Sequence, residues 1–277
     1  MDEKYSLEAY AVGLKKKIGF ENKSAQTETL VLGSSHGQYS FIPQKGEYNL
    51  CLPSQDLYYS YALYNKYCSQ MKQLKNIILY YSVFSRGFEL VKSSEDCRCY
   101  HYEKIFGLKP SRLCYEERLN AKYAPYGEKL ATKTHKIRVS KSYLGENPDI
   151  KGLKVKRIGM IDPAERAMKA YKHYMRKTIQ DKYILKILKS VQKQHQHLIL
   201  IIPPAHEDYK KALPDGKILF EHIFKLATTY KDNMTVLDFY NRNDFDDCDW
   251  WDYDHLNPTG AEKFTKLYRA RTHGDEH

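Results

Sequence analysis

Two short stretches of this sequence hold side chains suited to acid–base and nucleophilic chemistry. The first is Leu32-Gly33-Ser34-Ser35-His36-Gly37, which continues the apolar run Thr29-Leu30-Val31-Leu32. A serine on a tight, glycine-containing turn after a buried strand stands exposed at the C-terminal end of a parallel sheet, where open α/β sheets bind ligands. A helix following that turn would add backbone amides able to hold an oxyanion. The second stretch is Asp252-Tyr253-Asp254-His255-Leu256-Asn257-Pro258-Thr259-Gly260-Ala261. A histidine in such a loop can take a hydroxyl proton. A carboxylate three residues earlier can accept its other ring N–H and fix the tautomer. Taken singly, each stretch has an ordinary explanation. Gly-Ser-Ser is a common turn, and an acidic loop with one histidine is a common surface.

Stepping outward, the sequence offers the elements that would position both. Apolar runs at Thr29–Leu32, Tyr48–Leu52, Asn76–Phe84, His197–Ile202 and Met234–Phe239 read as strands, the third nearly continuous as expected where both faces are covered. Helices are expected over Leu7–Gly19, Gln55–Gln73 with Ser54 as N-cap, Pro163–Lys177, Thr178–Gln196, Lys217–Tyr230 and Thr259–Arg271. Strands alternating with helices of this length predict a mostly parallel sheet with helices on both faces, in one domain spanning residues 1–277. Between the third and fourth strands lies a basic, tyrosine-rich stretch. Its residues 88–177 read as an insertion or cap over the sheet edge, of the sort that shapes a substrate site.

The serine after the first strand and the Asp-x-x-His before the last helix, in that order, resemble the layout of SGNH/GDSL hydrolases. Gly33-Ser34-Ser35 is similar to that family's Gly-Asp-Ser block, with Ser34 in the Asp place. Asp252 to Asn257 is similar to its Asp-x-x-His block, in the form that continues with Leu-Asn and a Gly-Ala helix start. That form occurs in relatives that move or remove acyl groups on bacterial surface polysaccharides. The resemblance implies a three-layer α/β/α sandwich with a central, mostly parallel five-stranded sheet (flavodoxin-like) and a basic helical insertion. It implies Ser35 as nucleophile, His255 as base and Asp252 as its orienter. Asp254 would then point away or cap the final helix. The implied activity is that of a carbohydrate esterase or O-acyl(acetyl)transferase, with an acylated carbohydrate or other acyl donor as partner and no metal or organic cofactor.

The middle blocks depart from the family. A glycine usually follows the second strand and donates an N–H to the oxyanion. The matching place here is Leu52-Pro53-Ser54, and Pro53 has no N–H, so Ser54 or a neighbour must donate. After the third strand the family usually has Gly-x-Asn-Asp, whereas this chain has Tyr81-Ser82-Val83-Phe84-Ser85-Arg86-Gly87. Losing one such donor costs ~2.7–4 kcal/mol of transition-state stabilisation, so Ser82 and Ser85 are candidate substitutes. Arg86 is a candidate contact for an anionic sugar or phosphate. His36, beside the nucleophile, is either a turn residue or a substrate contact.

Composition adds limits. Lys and Arg number 45 against 34 Asp and Glu, a net charge of +11, which suits an anionic partner such as an acidic glycan, a membrane surface or nucleic acid. No helix-turn-helix, zinc-finger or RNP-like signature is present, so nucleic acid is not expected. The alternative to an enzyme is a non-catalytic binding protein for an anionic glycan or other polyanion on a degenerate fold of the same kind. A second rival, a metal-dependent hydrolase, would use the Asp-rich run Asp244, Asp246, Asp247, Asp249, Asp252 and Asp254. Its spacing lacks the regular calcium-loop pattern. The cysteines read as reduced thiols. Cys97, Cys99 and His101 alternate and on a strand would share a face, where with Cys114 they could hold zinc. The tyrosines Tyr58, Tyr59, Tyr61 and Tyr64 read as core edge rather than a sugar groove. No run approaches ~18 apolar residues and the first residues lack a signal-like apolar core, so the cytoplasm is the expected location.

Overall fold

A computed structural model describes residues 3–146, 158–176 and 179–273. Five parallel strands form one sheet: β1 (Thr29–Leu32), β2 (Glu47–Asn49), β3 (Asn76–Tyr80), β4 (His197–Ile202) and β5 (Met234–Asp238), in the order β2-β1-β3-β4-β5. The expected sheet is therefore present, and all of it is parallel. Alternate side chains go to opposite faces, as strand geometry dictates. Leu30, Leu32, Ile77, Leu79, Leu198 and Leu200 enter one core, and Val31, Ile78, Tyr80, Ile199 and Ile201 the other. Helices α3 (Leu57–Tyr67), α7 (Lys182–Lys193) and α9 (Gly216–Thr229) cover the first face through Leu63, Ile187, Leu188, Phe220 and Ile223. The C-terminal helix α10 (Pro258–His273) covers the second with Phe264 and Tyr268. Two covered faces give the three-layer α/β/α sandwich.

Strands β2 and β3 lie on opposite sides of β1. The order reverses there, leaving a crevice at the C-terminal strand ends. The short helix α2 (Ser35–Ser40) opens directly on that crevice. Gly33 makes the turn possible. It has φ +136°, and a Cβ on it would sit 2.7 Å from Tyr80 Cβ.

Several element boundaries differ from those expected. Helix α3 starts at Leu57, and its N-cap is Asp56, not Ser54. The Asp56 carboxylate accepts the Tyr59 N–H at 2.9 Å and also the Leu90 N–H at 2.9 Å. Ser54 lies outside the helix with φ +56°. Strand β3 ends at Tyr80 because Ser82 and Ser85 close a 3-10 turn over Val83–Arg86. The first helix, α1, runs Glu3–Glu21. Its Lys16 is fully buried and donates to the Asn49 and Cys51 carbonyls at 3.1 and 2.8 Å, finishing the end of β2 that no strand continues.

The stretch 88–177 carries α4 (Cys97–Phe106), α5 (Leu113–Thr134) and α6 (Pro163–Tyr174), with residues 147–157 and 177 outside the described residues. The expected helices Pro163–Lys177 and Thr178–Gln196 both reach into undescribed positions. Their described parts are α6 and α7. Helices α4 and α5 pack on α1, whereas α6 packs on the 3-10 turn after β3 and on α8 (Glu207–Lys211). Cys97, Cys99 and His101 lie on α4, not on a strand. Residues two apart on a helix do not share a face, so the alternation does not make the zinc site imagined for it. Of Tyr58, Tyr59, Tyr61 and Tyr64, expected at the core edge, Tyr59 and Tyr64 are buried in the core and Tyr58 and Tyr61 pack against it partly buried. Among the described residues no helix is long and apolar enough to cross a membrane.

Candidate active site

Loops at the C-terminal ends of the strands enclose a cavity of about 370 Å³, whose walls include Ser35, Ser54, Phe84, Arg166, Trp251 and His255. Ser35 is the first residue of α2, so its backbone N–H has no carbonyl one turn earlier in the helix to bind. Its Oγ lies 2.7 Å from His255 Nε2. On the far side of the ring, His255 Nδ1 is 3.0 and 3.1 Å from the two Asp252 oxygens. A carboxylate only accepts, so the Nδ1 proton faces Asp252 and Nε2 is left to accept from the serine hydroxyl.

The loop carrying Asp252 and His255 is held by its own backbone. The N–H groups of Asp254 and His255 donate to Asp252 Oδ1 at 3.1 and 2.9 Å, and the Trp251 N–H donates to the His255 carbonyl at 2.9 Å. Asn257 closes the loop. Its Nδ2 donates to the Cys248 and Trp250 carbonyls, and its Oδ1 accepts the Gly260 N–H in the first turn of α10. The Leu-Asn-Pro stretch thus fixes the loop and starts the helix together.

Asp254 does not point away, and Asn257 rather than Asp254 serves the last helix. The Asp254 carboxylate turns into the site because donors wait there. Its Oδ2 takes His36 Nε2–H at 3.3 Å, and its Oδ1 takes Nε–H of Arg166. Arg166 is the residue that sequence reasoning missed. It comes from α6, with Nη2 3.2 Å from Asp252 Oδ2 and 3.0 Å from His255 Nδ1. Helix α6 carries it there because Asp162 caps the helix start and Gly87 lets the helix end come close. A Cβ on Gly87 would lie 2.0 Å from the His173 carbonyl oxygen. The signal available in the sequence was the Asp162-Pro163 helix start followed by a single arginine on its first turn, which by itself points nowhere in particular.

The remaining sequence candidates separate. Ser54 is on the cavity wall, in the left-handed conformation that a glycine adopts easily and a serine rarely. His36 is buried against the site. Its ring stacks on that of His255 with centroids 4.9 Å apart, and its Nδ1 lies 3.0 Å from Ser34 Oγ. Since Asp254 takes the Nε2 proton, Nδ1 accepts from Ser34. Ser82 and Ser85 are not on the wall of the Ser35 cavity. Each serves the other, Ser85 Oγ accepting the Ser82 N–H at 3.0 Å with the two hydroxyls 3.3 Å apart. Arg86 is also off the wall, donating to Tyr174 Oη at 3.1 Å and facing Asp181 at 4.0 Å. Phe84 and Phe88 take the wall positions near them. The Asp-rich run does not converge. Asp244 binds Arg242, Asp246 and Asp249 bind Lys263, and Asp247 binds His206.

Electrostatics follow from this packing. Burial lowers the His255 pKa, but the Asp252 and Asp254 carboxylates outweigh it and the net shift is upward from 6.5. For His36 burial wins and its pKa is lowered, so His36 is neutral and its contact with Asp254 is a hydrogen bond rather than an ion pair. Burial opposes the charge on Asp254, yet His255, the His36 hydrogen bond and Arg166 hold its carboxyl well below the usual range. His36, Asp254 and His255 bring ligand atoms within 4.8 Å of one another, as a metal site would. Those atoms already bind Ser34, Ser35 and Arg166, and a guanidinium among them repels a second cation.

No family model matches the sequence, and no curated protein matches it. Among solved structures the chain is similar to a crystal structure described as a "putative acylhydrolase" from Bacteroides fragilis NCTC 9343. The two share 9% identity and a TM-score of 0.43, over 92% of this chain and 93% of that one. A likeness at that distance says nothing of chemistry.

Proposed function

We propose that the protein is a serine-dependent carbohydrate esterase or O-acyltransferase. The observation that carries this is the Ser35 Oγ–His255 Nε2 distance of 2.7 Å with Asp252 on the opposite ring nitrogen. His255 takes the Ser35 proton as Oγ bonds to the ester carbonyl carbon. The carbonyl oxygen becomes an oxyanion facing the backbone N–H groups of Ser35 and Ser54. Collapse breaks the bond to the leaving alkoxide, which receives the proton from His255, and leaves an acyl-serine. Water or a second hydroxyl, deprotonated by the same histidine, then attacks the acyl carbon and frees Ser35. A sugar as the alcohol part is supported by Tyr39, Phe84, Phe88 and Trp251 on the cavity wall, whose flat faces suit pyranose rings. It is also supported by the resemblance of the Asp-x-x-His block to enzymes of surface polysaccharides.

The test is hydrolysis of 4-nitrophenyl acetate by wild type and Ser35→Ala. The variant is expected to lose at least about a thousandfold in kcat/KM. Undiminished turnover would remove Ser35 from the chemistry. Because His255 must be neutral to act as base and its pKa is raised above 6.5, activity should fall on acidification through a limb above pH 6.5 and hold a plateau on its alkaline side. An acylated oligosaccharide offered with a free one separates hydrolysis from transfer by the appearance of a newly acylated sugar.

A further inference from the structure

We propose that Arg166 is a positioning residue: with His36 it holds Asp254 off the imidazole, so that Asp252 alone receives the Nδ1 proton and His255 feels the charge of one carboxylate rather than two. This rests on reading Ser35 and His255 as nucleophile and base.

Two carboxylates compete for one N–H. Asp252 oxygens lie 3.0 and 3.1 Å from His255 Nδ1, and Asp254 Oδ1 lies 3.4 Å away. What separates them is how their other bonds are used. Asp254 spends Oδ1 on Arg166 Nε and Oδ2 on His36 Nε2. Asp252 is aimed at the ring by the two backbone N–H groups on its Oδ1. Arg166 Nη2 then pairs with Asp252 Oδ2 at 3.2 Å, so one guanidinium spans both acids in the forked manner open to arginine and not to lysine.

The charges around His255 confirm the division of labour. The charged groups facing it are Asp252 and Asp254 from its own loop and Arg166 from α6. His36 from α2 is neutral, Ser35 is a hydroxyl, and Tyr39 and Trp251 present rings at 5.4 and 5.9 Å. Two anions and one cation leave a single negative charge, which is what a Ser-His-Asp set has without a second acid. Without Arg166, the surplus acid would bind the imidazolium and hold the base protonated at neutral pH.

The experiment reads His255 directly. In the Ser35→Ala background, ¹⁵N-histidine NMR gives the tautomer and pKa of His255 for native Arg166, Arg166→Gln, Asp254→Asn and the double variant. The same substitutions in the active protein give the pH profile of kcat/KM. Arg166→Gln should raise the His255 pKa by on the order of one unit, Asp254→Asn should lower it by a similar amount, and the double variant should return close to wild type. A one-unit rise means about tenfold lower activity on the acid limb. Arg166→Lys keeps the charge and loses the fork, so its limb should stay near wild type while its plateau falls. An unmoved His255 in Arg166→Gln, or shifts of the same sign in the two single variants, would overturn the proposal. Loss of packing alone does not produce opposite shifts that cancel. If the NMR shifts follow this pattern while Ser35→Ala keeps full esterase activity, the assignment of function fails and the account of His255 stands.

Discussion

Helices α4 and α5 and helix α6 come from the same basic stretch between β3 and β4, and they meet the domain in opposite ways. The α4–α5 pair leans on α1, and α4 also meets Leu52 and Pro53 after β2. Its main polar anchor is Asp96, which takes the Tyr123 hydroxyl and Lys122 Nζ, the latter at 3.1 Å, with Arg118 3.5 Å away. A second cavity of ≈ 340 Å³ lies between these helices and α1, lined by Tyr100, Tyr123, Tyr126 and Lys133 among others, with none of the Ser35 set in its wall. Helix α6 lies over the Ser35 cavity and puts a guanidinium between both acids of the His255 loop. Charge and composition alike would group these helices together. The difference is made by where each one docks, and docking is set by small features such as Gly87 and Asp162 rather than by net charge.

The sharpest way to break this contrast is to move α6 without touching Ser35, Asp252 or His255. Gly87→Val places a branched side chain where the His173 carbonyl stands, and α6 must shift. Misplacement of about 1 Å at a reacting centre costs on the order of a hundredfold in rate, so kcat/KM in the aryl acetate assay should fall by about that much. The melting temperature should fall as well, by the few degrees that overpacking of about 1–3 kcal/mol produces in a domain of this size. Retention of full activity would mean that α6 is not needed over the site. The smaller, opposite test is Asp96→Asn. It weakens the contacts that hold α5 to α4 and should cost about 1 kcal/mol of stability by thermal melting. The same variant should leave kcat/KM within about twofold, since sites this independent behave additively. A large activity loss there would dissolve the distinction between the two regions.

The sequence made the sheet legible because parallel strands buried on both faces are apolar at nearly every position, and His197–Ile202 and Thr29–Leu32 stand out at once. Strand ends were harder to read. Ser82 and Phe84 look like continuing strand, and only the mutual Ser82–Ser85 bonds show that the chain has turned. Helix α5 was hidden by Pro125 in its interior and by a mostly exposed surface without a clear apolar face. Within the site, Ser35, Asp252 and His255 could be singled out because their chemistry is local and their order along the chain is distinctive. Arg166 could not, because its role depends on a docking angle. The orientation of Asp254 is hidden for the same reason: its two bonding partners, His36 and Arg166, are 218 and 88 residues away in the sequence.

The hydrogen bond between Ser35 and His255 spans 220 residues of chain. Closing so long a loop costs little extra at equilibrium, about 0.6 kcal/mol for each doubling of length. It matters more for the order of events during synthesis and folding, since distant contacts form slowly. A growing polypeptide displays the serine early, yet its proposed base reaches it only once β5 has joined the sheet and the loop before α10 has closed. On the proposed chemistry a half-made chain is therefore silent, and reactivity arrives only with the folded whole.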